Sequence, residues 1–253
     1  MFQGDLEGRV GLVTGGGRGI GRAIAEGLAA RGADVVITYL RKKSIADQTC
    51  RELEQAAGVR AMAIKAPLGD ADQIDATFDA IEDRFGRLDV FVSNAATGVI
   101  RPVAELDERA WQWTMDANAR ALLLGARRAV SLMTDGGSMV ALSSLGAQRV
   151  LPGYAVVGAS KAAIESLVRY LAVELAPRNI RVNAVSPGVV DTDALQHFPN
   201  REEMLLHAKT NTPAGRLTTT DDVARVVDFL TSESSSMVTG QTIVIDGGMS
   251  LLA

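Results

Sequence analysis

The chain has 253 residues, 47% of them hydrophobic, which is enough apolar material for one core and a single domain spanning residues 1–253. A formal net charge of -4 argues against the basic surface of a general nucleic-acid binder. One cysteine, Cys50, excludes an internal disulfide, and two histidines form no zinc cluster, so we expect a cytoplasmic protein without a metal site. No apolar run reaches transmembrane length, so we expect no membrane partner.

Seven short apolar segments alternate with helix-patterned stretches along the chain. They are RVGLVT (9–14), ADVVITY (33–39), RAMAIK (60–65), LDVFVSN (88–94), SMVALS (138–143), IRVNAVS (180–186) and TIVID (242–246). This alternation predicts a parallel sheet, and strands that are apolar throughout predict helices on both of its faces. We therefore expect an α/β fold, a doubly wound (Rossmann) seven-stranded parallel sheet flanked by helices, whose ligands bind beyond the carboxyl ends of the strands.

Two of the intervening helices have clear ends in the sequence. Apolar residues at three- and four-residue spacing predict helices over 45–57 and 74–85. Gly58 and Gly86 follow directly, in the position where glycine commonly ends a helix.

The first strand runs straight into the glycine-rich stretch TGGGRGIG (14–21) and then into a helical pattern. Gly15, Gly19 and Gly21 allow a tight turn, close approach of the backbone to a pyrophosphate, and close packing of helix against strand. Because the motif follows a strand and opens a helix, it predicts a dinucleotide site. The alternative is a glycine-rich turn that binds nothing.

The residues after the second strand bear on the choice of cofactor. This stretch reads TYLRKK (38–43) and contains no acid that would bind a free ribose 2′-hydroxyl. Arg18, Arg41 and Lys42 instead favour a 2′-phosphate, and therefore NADPH. The alternative is that these cations are the solvated start of a helix.

A long insertion follows the sixth strand. About thirty residues separate strand 180–186 from the helix that begins near Thr220, with a short helix predicted over 201–209. We expect a substrate lid over about 188–218. Its apolar side chains Leu195, Phe198 and Leu206 are candidates to line an acyl pocket.

The stretch YAVVGASK (154–161) pairs a tyrosine with a lysine seven positions later. On one helix such residues share a face but lie roughly 10 Å apart along the axis. This distance is longer than expected for two side chains that act on the same atom.

These features together resemble the short-chain dehydrogenase/reductase superfamily over essentially the whole chain. The matching pieces are TGGGRGIG, SNAA (93–96), Asn118, Ser144, Lys161, SPGVVDT (186–192) and GQTIVIDGG (240–248). The usual tyrosine of the superfamily lies four residues before the lysine, where this chain has Val157. The spacing of Tyr154 and Lys161 is instead similar to that of enoyl-acyl-carrier-protein reductases. The stretches 143–177, 191–202 and 211–216 resemble the NADPH-dependent FabL type of these enzymes.

The chemistry of an enoyl thioester accounts for the spacing. Hydride reaches the β-carbon of the conjugated thioester, and charge gathers on the thioester oxygen as an enolate. A tyrosine that hydrogen-bonds this oxygen must lie farther from the nicotinamide than the tyrosine of a ketone reductase. Pro152 and Gly153 predict a loop or helix start at Tyr154, which would supply the displacement.

The resemblance implies NADPH-dependent reduction of the 2,3-double bond of an enoyl thioester, carried by acyl carrier protein or coenzyme A. It also implies a homotetramer that acts in fatty acid biosynthesis or related secondary metabolism. Tyr154 would stabilise the enolate and Lys161 would bind the nicotinamide ribose; Ser144 would assist the thioester oxygen or line the pocket, and Asn118 would have a supporting role. The implied cofactor-binding residues are Gly15, Arg18, Gly19, Ile20, Gly21, Arg41, Lys42, Leu68, Asn94, Ala95, Lys161, Pro187, Gly188, Val190 and Thr192.

Two other functions remain open from the sequence. An atypical carbonyl or ketoacyl reductase could lack the usual tyrosine and use Tyr154 in its place. A non-catalytic NADP-binding sensor would also tolerate Val157, although the retention of Lys161, Ser144 and Asn118 argues against it.

Overall fold

One sheet of seven parallel strands forms the centre of the molecule, in a computed structural model that describes residues 4–197 and 201–252. The strands are β1 (Val10–Val13), β2 (Asp34–Tyr39), β3 (Ala61–Lys65), β4 (Val90–Ser93), β5 (Gly137–Leu142), β6 (Ile180–Pro187) and β7 (Thr242–Ile245). Their order across the sheet is β3-β2-β1-β4-β5-β6-β7. The chain order reverses between β1 and β4, which is the crevice where sheets of this kind bind ligands.

Helices cover both faces of the sheet. They are α1 (Gly19–Ala30), α2 (Lys43–Ala57), α3 (Ala71–Phe85), α4 (Glu108–Met115), α5 (Ala121–Leu132), α6 (Ala155–Leu175), α7 (Arg201–Asn211) and α8 (Thr220–Leu230). One core cluster joins the sheet to α3, α5 and α6, and the other joins it to α1, α2 and α8. Neighbouring residues of β1 illustrate the division, because Leu12 packs in the first cluster and Val13 in the second.

The sequence-based prediction of this architecture is confirmed. All seven predicted strands are present, with ends that differ from the prediction by at most two residues. Gly58 and Gly86 end α2 and α3 in the left-handed conformation, with φ of 70° and 71°. The predicted short helix after β6 is α7, which continues to Asn211.

The described residues contain neither a membrane-spanning helix nor a metal-binding cluster. No helix in 4–197 or 201–252 is both long and apolar enough to cross a bilayer. The same residues bring no three potential metal-ligating side chains together.

An aromatic pair fills the first core cluster between β4 and α3. Phe91 meets Phe78 edge to face, with ring centroids 5.8 Å apart. A methyl group on Gly125 of α5 would lie 2.6 Å from the Phe91 ring, so helix and ring are in close contact.

We expect Phe91→Ala to lower the free energy of unfolding by about 3–5 kcal/mol, because the cavity would be enclosed on several sides. Urea denaturation measures the change. Phe229→Ala, at a side chain that is 36% exposed at the end of α8, is the control and should cost less than half as much. Equal costs would contradict the packing described.

Candidate active site

The glycine-rich turn after β1 leaves no room for side chains. Gly15 has a φ of +67°, and a Cβ there would lie 2.9 Å from the Cβ of Ala95. A Cβ on Gly21 would lie 2.4 Å from the Asn94 side-chain nitrogen. These glycines let the start of α1 lie against the end of β4, as the motif requires.

Two threonines hold this turn, and the sequence analysis did not identify either. Thr14 Oγ1 accepts hydrogen bonds from the backbone N–H groups of Asn94 and Ala95, both at 3.0 Å. The Asn94 side chain in turn donates to Thr14 O at 2.7 Å. Thr38 Oγ1, on β2, accepts from Gly15 N at 3.1 Å. The sequence signal that was overlooked is a polar residue at the end of each of two adjacent apolar strands.

The N-terminus of α1 is open to an anion. Arg18 caps the helix in extended conformation without a side-chain hydrogen bond to the helix, and the first turn carries no acid. The first N–H groups of α1, which have no partner within the helix, and the helix dipole both favour binding of a phosphate. Because Gly15 and Gly21 allow the tight turn that brings this helix start to the end of β1, the arrangement fits the pyrophosphate of a dinucleotide.

The predicted cations lie near this turn but differ in their contacts. Arg18 Nη1 forms an ion pair with Asp193 Oδ2 at 2.5 Å, a contact that the sequence analysis did not anticipate. Arg41 and Lys42 are exposed between β2 and α2. Their role at a 2′-phosphate stays a prediction.

Two predicted apolar contacts of the cofactor are partly buried. Ile20 packs against the core cluster of α1, α2 and α8, and Leu68 packs against the opposite cluster. Both can contact a ligand only with the surface that remains exposed.

Tyr154 immediately precedes α6, as the preceding proline and glycine predict. Its hydroxyl lies 3.4 Å from Ser144 Oγ, which follows β5. Burial raises the pKa of the Tyr154 hydroxyl, and the hydrogen bond with Ser144 lowers it to a smaller extent. Tyr154 therefore stays protonated at neutral pH and can donate a hydrogen bond.

The short 3₁₀ turn Leu145–Ala147 packs directly on the tyrosine ring. A Cβ on Gly146 would lie 2.5 Å from the Tyr154 ring carbons Cδ1 and Cε1. On the other side, a Cβ on Gly158 of α6 would lie 2.6 Å from Gly146 O. The tyrosine position therefore depends on two glycines that the sequence analysis did not single out.

A buried carboxylate holds the same turn from α6. Glu165 is 6% exposed, and its two oxygens accept from Ser143 Oγ at 2.7 Å and from Gln148 Nε2 at 2.9 Å. These two residues flank the 3₁₀ turn, so Glu165 fixes both of its ends. Nothing in the local sequence around Glu165 reveals that role.

Lys161 extends from α6 to the carboxyl end of β5. Its ammonium donates to Leu142 O at 2.6 Å, and the residue is 5% exposed. Burial lowers the pKa of Lys161 from 10.5 to about 8, because the charged form loses solvation. An ammonium has three donors, so the contact with Leu142 leaves others for a ligand.

Asn118 occupies a π-helical turn, Asp116–Arg120, between α4 and α5. Its amide donates to Thr97 O and to Ser160 Oγ, both at 2.9 Å, and accepts from Thr97 N at 3.0 Å. The side chain therefore joins the loop after β4 to α6. This arrangement supports the local structure of the site.

Val157 lies in a tight apolar contact. It is 6% exposed, and its Cγ2 lies 2.3 Å from the point that a Cβ on Gly98 would occupy. The same point is 3.3 Å from Thr114 Cγ2. Val157 thus packs on the loop after β4, and Tyr154 carries the hydroxyl beside Ser144.

The β6–α8 segment (residues 188–219) begins against the glycine-rich turn. A Cβ on Gly19 would lie 3.5 Å from Thr192 Cγ2. Gly188 donates from its N–H to Ile245 O at 2.9 Å, directly after Pro187, and Val190 pairs with Thr218. The segment therefore starts beside the predicted cofactor site.

The predicted acyl-pocket residues have different surroundings. Leu195 is 8% exposed, whereas Leu206 on α7 is 67% exposed. Phe198 lies outside the described residues. Their contact with a substrate stays a prediction.

Known proteins are similar to this chain over nearly all of its length. The profile of the family described as Enoyl-(Acyl carrier protein) reductase matches residues 15–250. The 1-cyclohexenylcarbonyl-CoA reductase of Streptomyces collinus is 43% identical over 247 residues, covering 97% of this chain and 88% of that protein. The hydroxynaphthalene reductase-like protein Arp2 of Metarhizium brunneum is 38% identical over 256 residues, covering 96% of each. A short chain dehydrogenase from Burkholderia cenocepacia J2315, solved in complex with NADP, is 34% identical with a TM-score of 0.90, covering 97% of this chain and 99% of that one.

The pKa of Lys161 predicts how stability changes with pH. Between about 8 and 10.5 the folded chain binds fewer protons than the unfolded chain, so its free energy of unfolding rises with pH. Lys161→Met lacks this contribution. Between about pH 8 and pH 10.5 the free energy of unfolding of the wild type should rise by up to about 3 kcal/mol relative to that of the variant. Urea denaturation of both proteins at these two pH values measures the difference. Lys209→Met, at an exposed position on α7, is the control; a similar dependence there would argue against the assignment.

Proposed function

The chain belongs to the short-chain dehydrogenase/reductase family and is an oxidoreductase, and from that premise we propose that it reduces the 2,3-double bond of an enoyl thioester with NADPH. The observation that carries the proposal is the place of the tyrosine hydroxyl. Tyr154 reaches Ser144 from the residue just before α6, while Val157 turns an apolar side chain to Gly98.

This placement suits an enolate better than an alkoxide. When hydride is delivered to the β-carbon, negative charge develops on the thioester oxygen, farther from the nicotinamide. The Tyr154 hydroxyl donates a hydrogen bond to that oxygen. Ser144 orients the hydroxyl from 3.4 Å away and offers a second donor.

Lys161 and the glycine-rich turn position the cofactor, which supplies the hydride when it is bound. The turn and the start of α1 hold the pyrophosphate through backbone N–H groups. The Lys161 ammonium, one of whose donors goes to Leu142 O, binds the nicotinamide ribose hydroxyls with the others. Asn118 fixes the loop after β4 relative to α6.

The choice of NADPH is supported by the absence of an acid at the end of β2 and by the nearby Arg18, Arg41 and Lys42. The substrate carrier is acyl carrier protein or coenzyme A. The name of the Streptomyces relative supports the coenzyme A form, and the name of the matching family supports the carrier-protein form.

We propose a homotetramer, as the resemblance to the family implies, and assign one of its subunit contacts to an apolar surface. Apolar side chains on α5 and α6 are exposed in the single chain, among them Leu123, Tyr170 and Val173 at 45%, 68% and 77%. Such a surface on adjacent helices suits burial against a second copy.

A substrate panel tests the reaction. Crotonyl thioesters of acyl carrier protein and coenzyme A, a β-ketoacyl thioester and a hydroxynaphthalene are each incubated with NADPH or NADH while absorbance is followed. Oxidation of NADPH by a crotonyl thioester supports the proposal. Turnover confined to the ketone substrates would establish a carbonyl reductase, and tight cofactor binding without any turnover would favour a sensor.

Tyr154→Phe should reduce kcat for the crotonyl thioester about 10²- to 10³-fold, because the enolate loses its main hydrogen-bond donor. NADPH affinity, measured by nicotinamide fluorescence, should stay close to that of the wild type. Tyr170→Phe is the matched control: it lies sixteen residues further along the same helix, keeps the ring that is proposed to meet a second copy, loses only a hydroxyl, and should keep full activity. Full activity in Tyr154→Phe would remove the tyrosine from the mechanism.

Gly146→Ala should lower kcat about 10- to 100-fold, because a methyl group 2.5 Å from the Tyr154 ring must displace it. Gly69→Ala is the control, since its Cβ would make only an ordinary contact of 3.6 Å with Asp116. Steady-state kinetics on both variants, with circular dichroism to verify folding, compare the two positions. Equal activities would show that the ring position is not critical.

A further inference from the structure

The Arg18–Asp193 ion pair connects the glycine-rich turn to the β6–α8 segment. Arg18 Nη1 and Asp193 Oδ2 are 2.5 Å apart, and the two side chains are about equally exposed, at 51% and 52%. Arg18 is also the cation that lies directly at the N-terminus of α1. The guanidinium proposed to meet a 2′-phosphate is therefore already bound to a carboxylate of the same chain.

The backbone that carries Asp193 is held in place by its neighbours. Thr192 lies beside the glycine-rich turn, where a Cβ on Gly19 would be 3.5 Å from its Cγ2. Leu195, two residues after Asp193, is buried and donates from its N–H to Thr192 O at 3.0 Å. A short 3₁₀ helix, Asp193–His197, begins at the aspartate itself. The backbone at Asp193 is therefore placed near Arg18 by buried and backbone contacts that do not depend on the ion pair.

We infer that Asp193 competes with the cofactor 2′-phosphate for Arg18 and so lowers the affinity for NADPH relative to NADH. If the phosphate displaces the carboxylate, the ion pair is lost. If both anions share the guanidinium, they repel each other at close range. NADH carries no 2′-phosphate and meets neither cost, so the effect is specific to NADPH.

The inference rests on the proposed use of NADPH but not on the reaction that the enzyme catalyses. It assigns a specificity-determining residue that lies outside the glycine-rich motif and outside the end of β2. The segment that carries it is also the one predicted to cover the substrate.

Asp193→Asn provides the test. The dissociation constants of NADPH and NADH are measured by nicotinamide fluorescence at low ionic strength, where exposed charges are least screened. The variant should bind NADPH about two- to fivefold more tightly, within the range expected for an exposed pair, with NADH unchanged. High salt should reduce the difference.

Asp191→Asn is the matched control. Asp191 lies two residues earlier in the same segment and pairs with Arg201 at 2.8 Å instead of with the glycine-rich turn. Its substitution should leave the ratio of the two affinities unchanged. An equal gain in NADPH affinity in both variants would show that the effect comes from the loss of one negative charge and not from the contact with Arg18, which would overturn the inference.

A double-mutant cycle with Arg18→Gln completes the experiment. Arg18→Gln should weaken NADPH binding, and adding Asp193→Asn to it should bring no further gain.

An unchanged or reduced NADPH preference in Asp193→Asn would overturn the inference. Binding alone is measured, so the result is independent of whether a crotonyl thioester is reduced. If Arg18→Gln leaves NADPH affinity intact, both the inference and the role of Arg18 at the phosphate fail, while the enoyl substrate remains open to its own assay.

Discussion

The buried ammonium of Lys161 is the constraint on which the rest of the site depends. A positive charge with 5% exposure requires a hydrogen-bond acceptor, and Leu142 O supplies one at the carboxyl end of β5. The contact fixes where α6 crosses the sheet. Because Tyr154 lies just before the same helix, the contact between Lys161 and Leu142 O also fixes the distance from the tyrosine hydroxyl to the strand ends.

Glu165 of α6 stabilises the turn between β5 and α6. Its carboxylate satisfies Ser143 and Gln148, so the backbone between them has little freedom. Gly146 lies at the middle of that turn, where its lack of a side chain admits the Tyr154 ring. A polar network and a steric fit thus act on one side chain, and neither alone would hold its hydroxyl near Ser144.

The sequence was sufficient to predict the order of the elements and the dinucleotide turn, because these depend on local patterns. Apolar runs, helix-ending glycines and the strand–glycine–helix context are all contained within a few consecutive residues. The contacts of Thr14, Glu165 and Asp193 were not predictable in this way. Each joins residues that are far apart in the chain, from 17 positions for Glu165 and Gln148 to 175 for Asp193 and Arg18, and each depends on how separate elements are placed in the fold.

The contact between Val157 and Gly98 has a consequence for how such a site can change over evolutionary time. The valine methyl group occupies the space next to the Gly98 backbone, so any side chain on residue 98 would meet it. The hydroxyl beside Ser144 is already supplied by Tyr154. Position 98 can therefore accept a side chain only if residue 157 becomes smaller or moves, so substitutions at the two positions should not be additive.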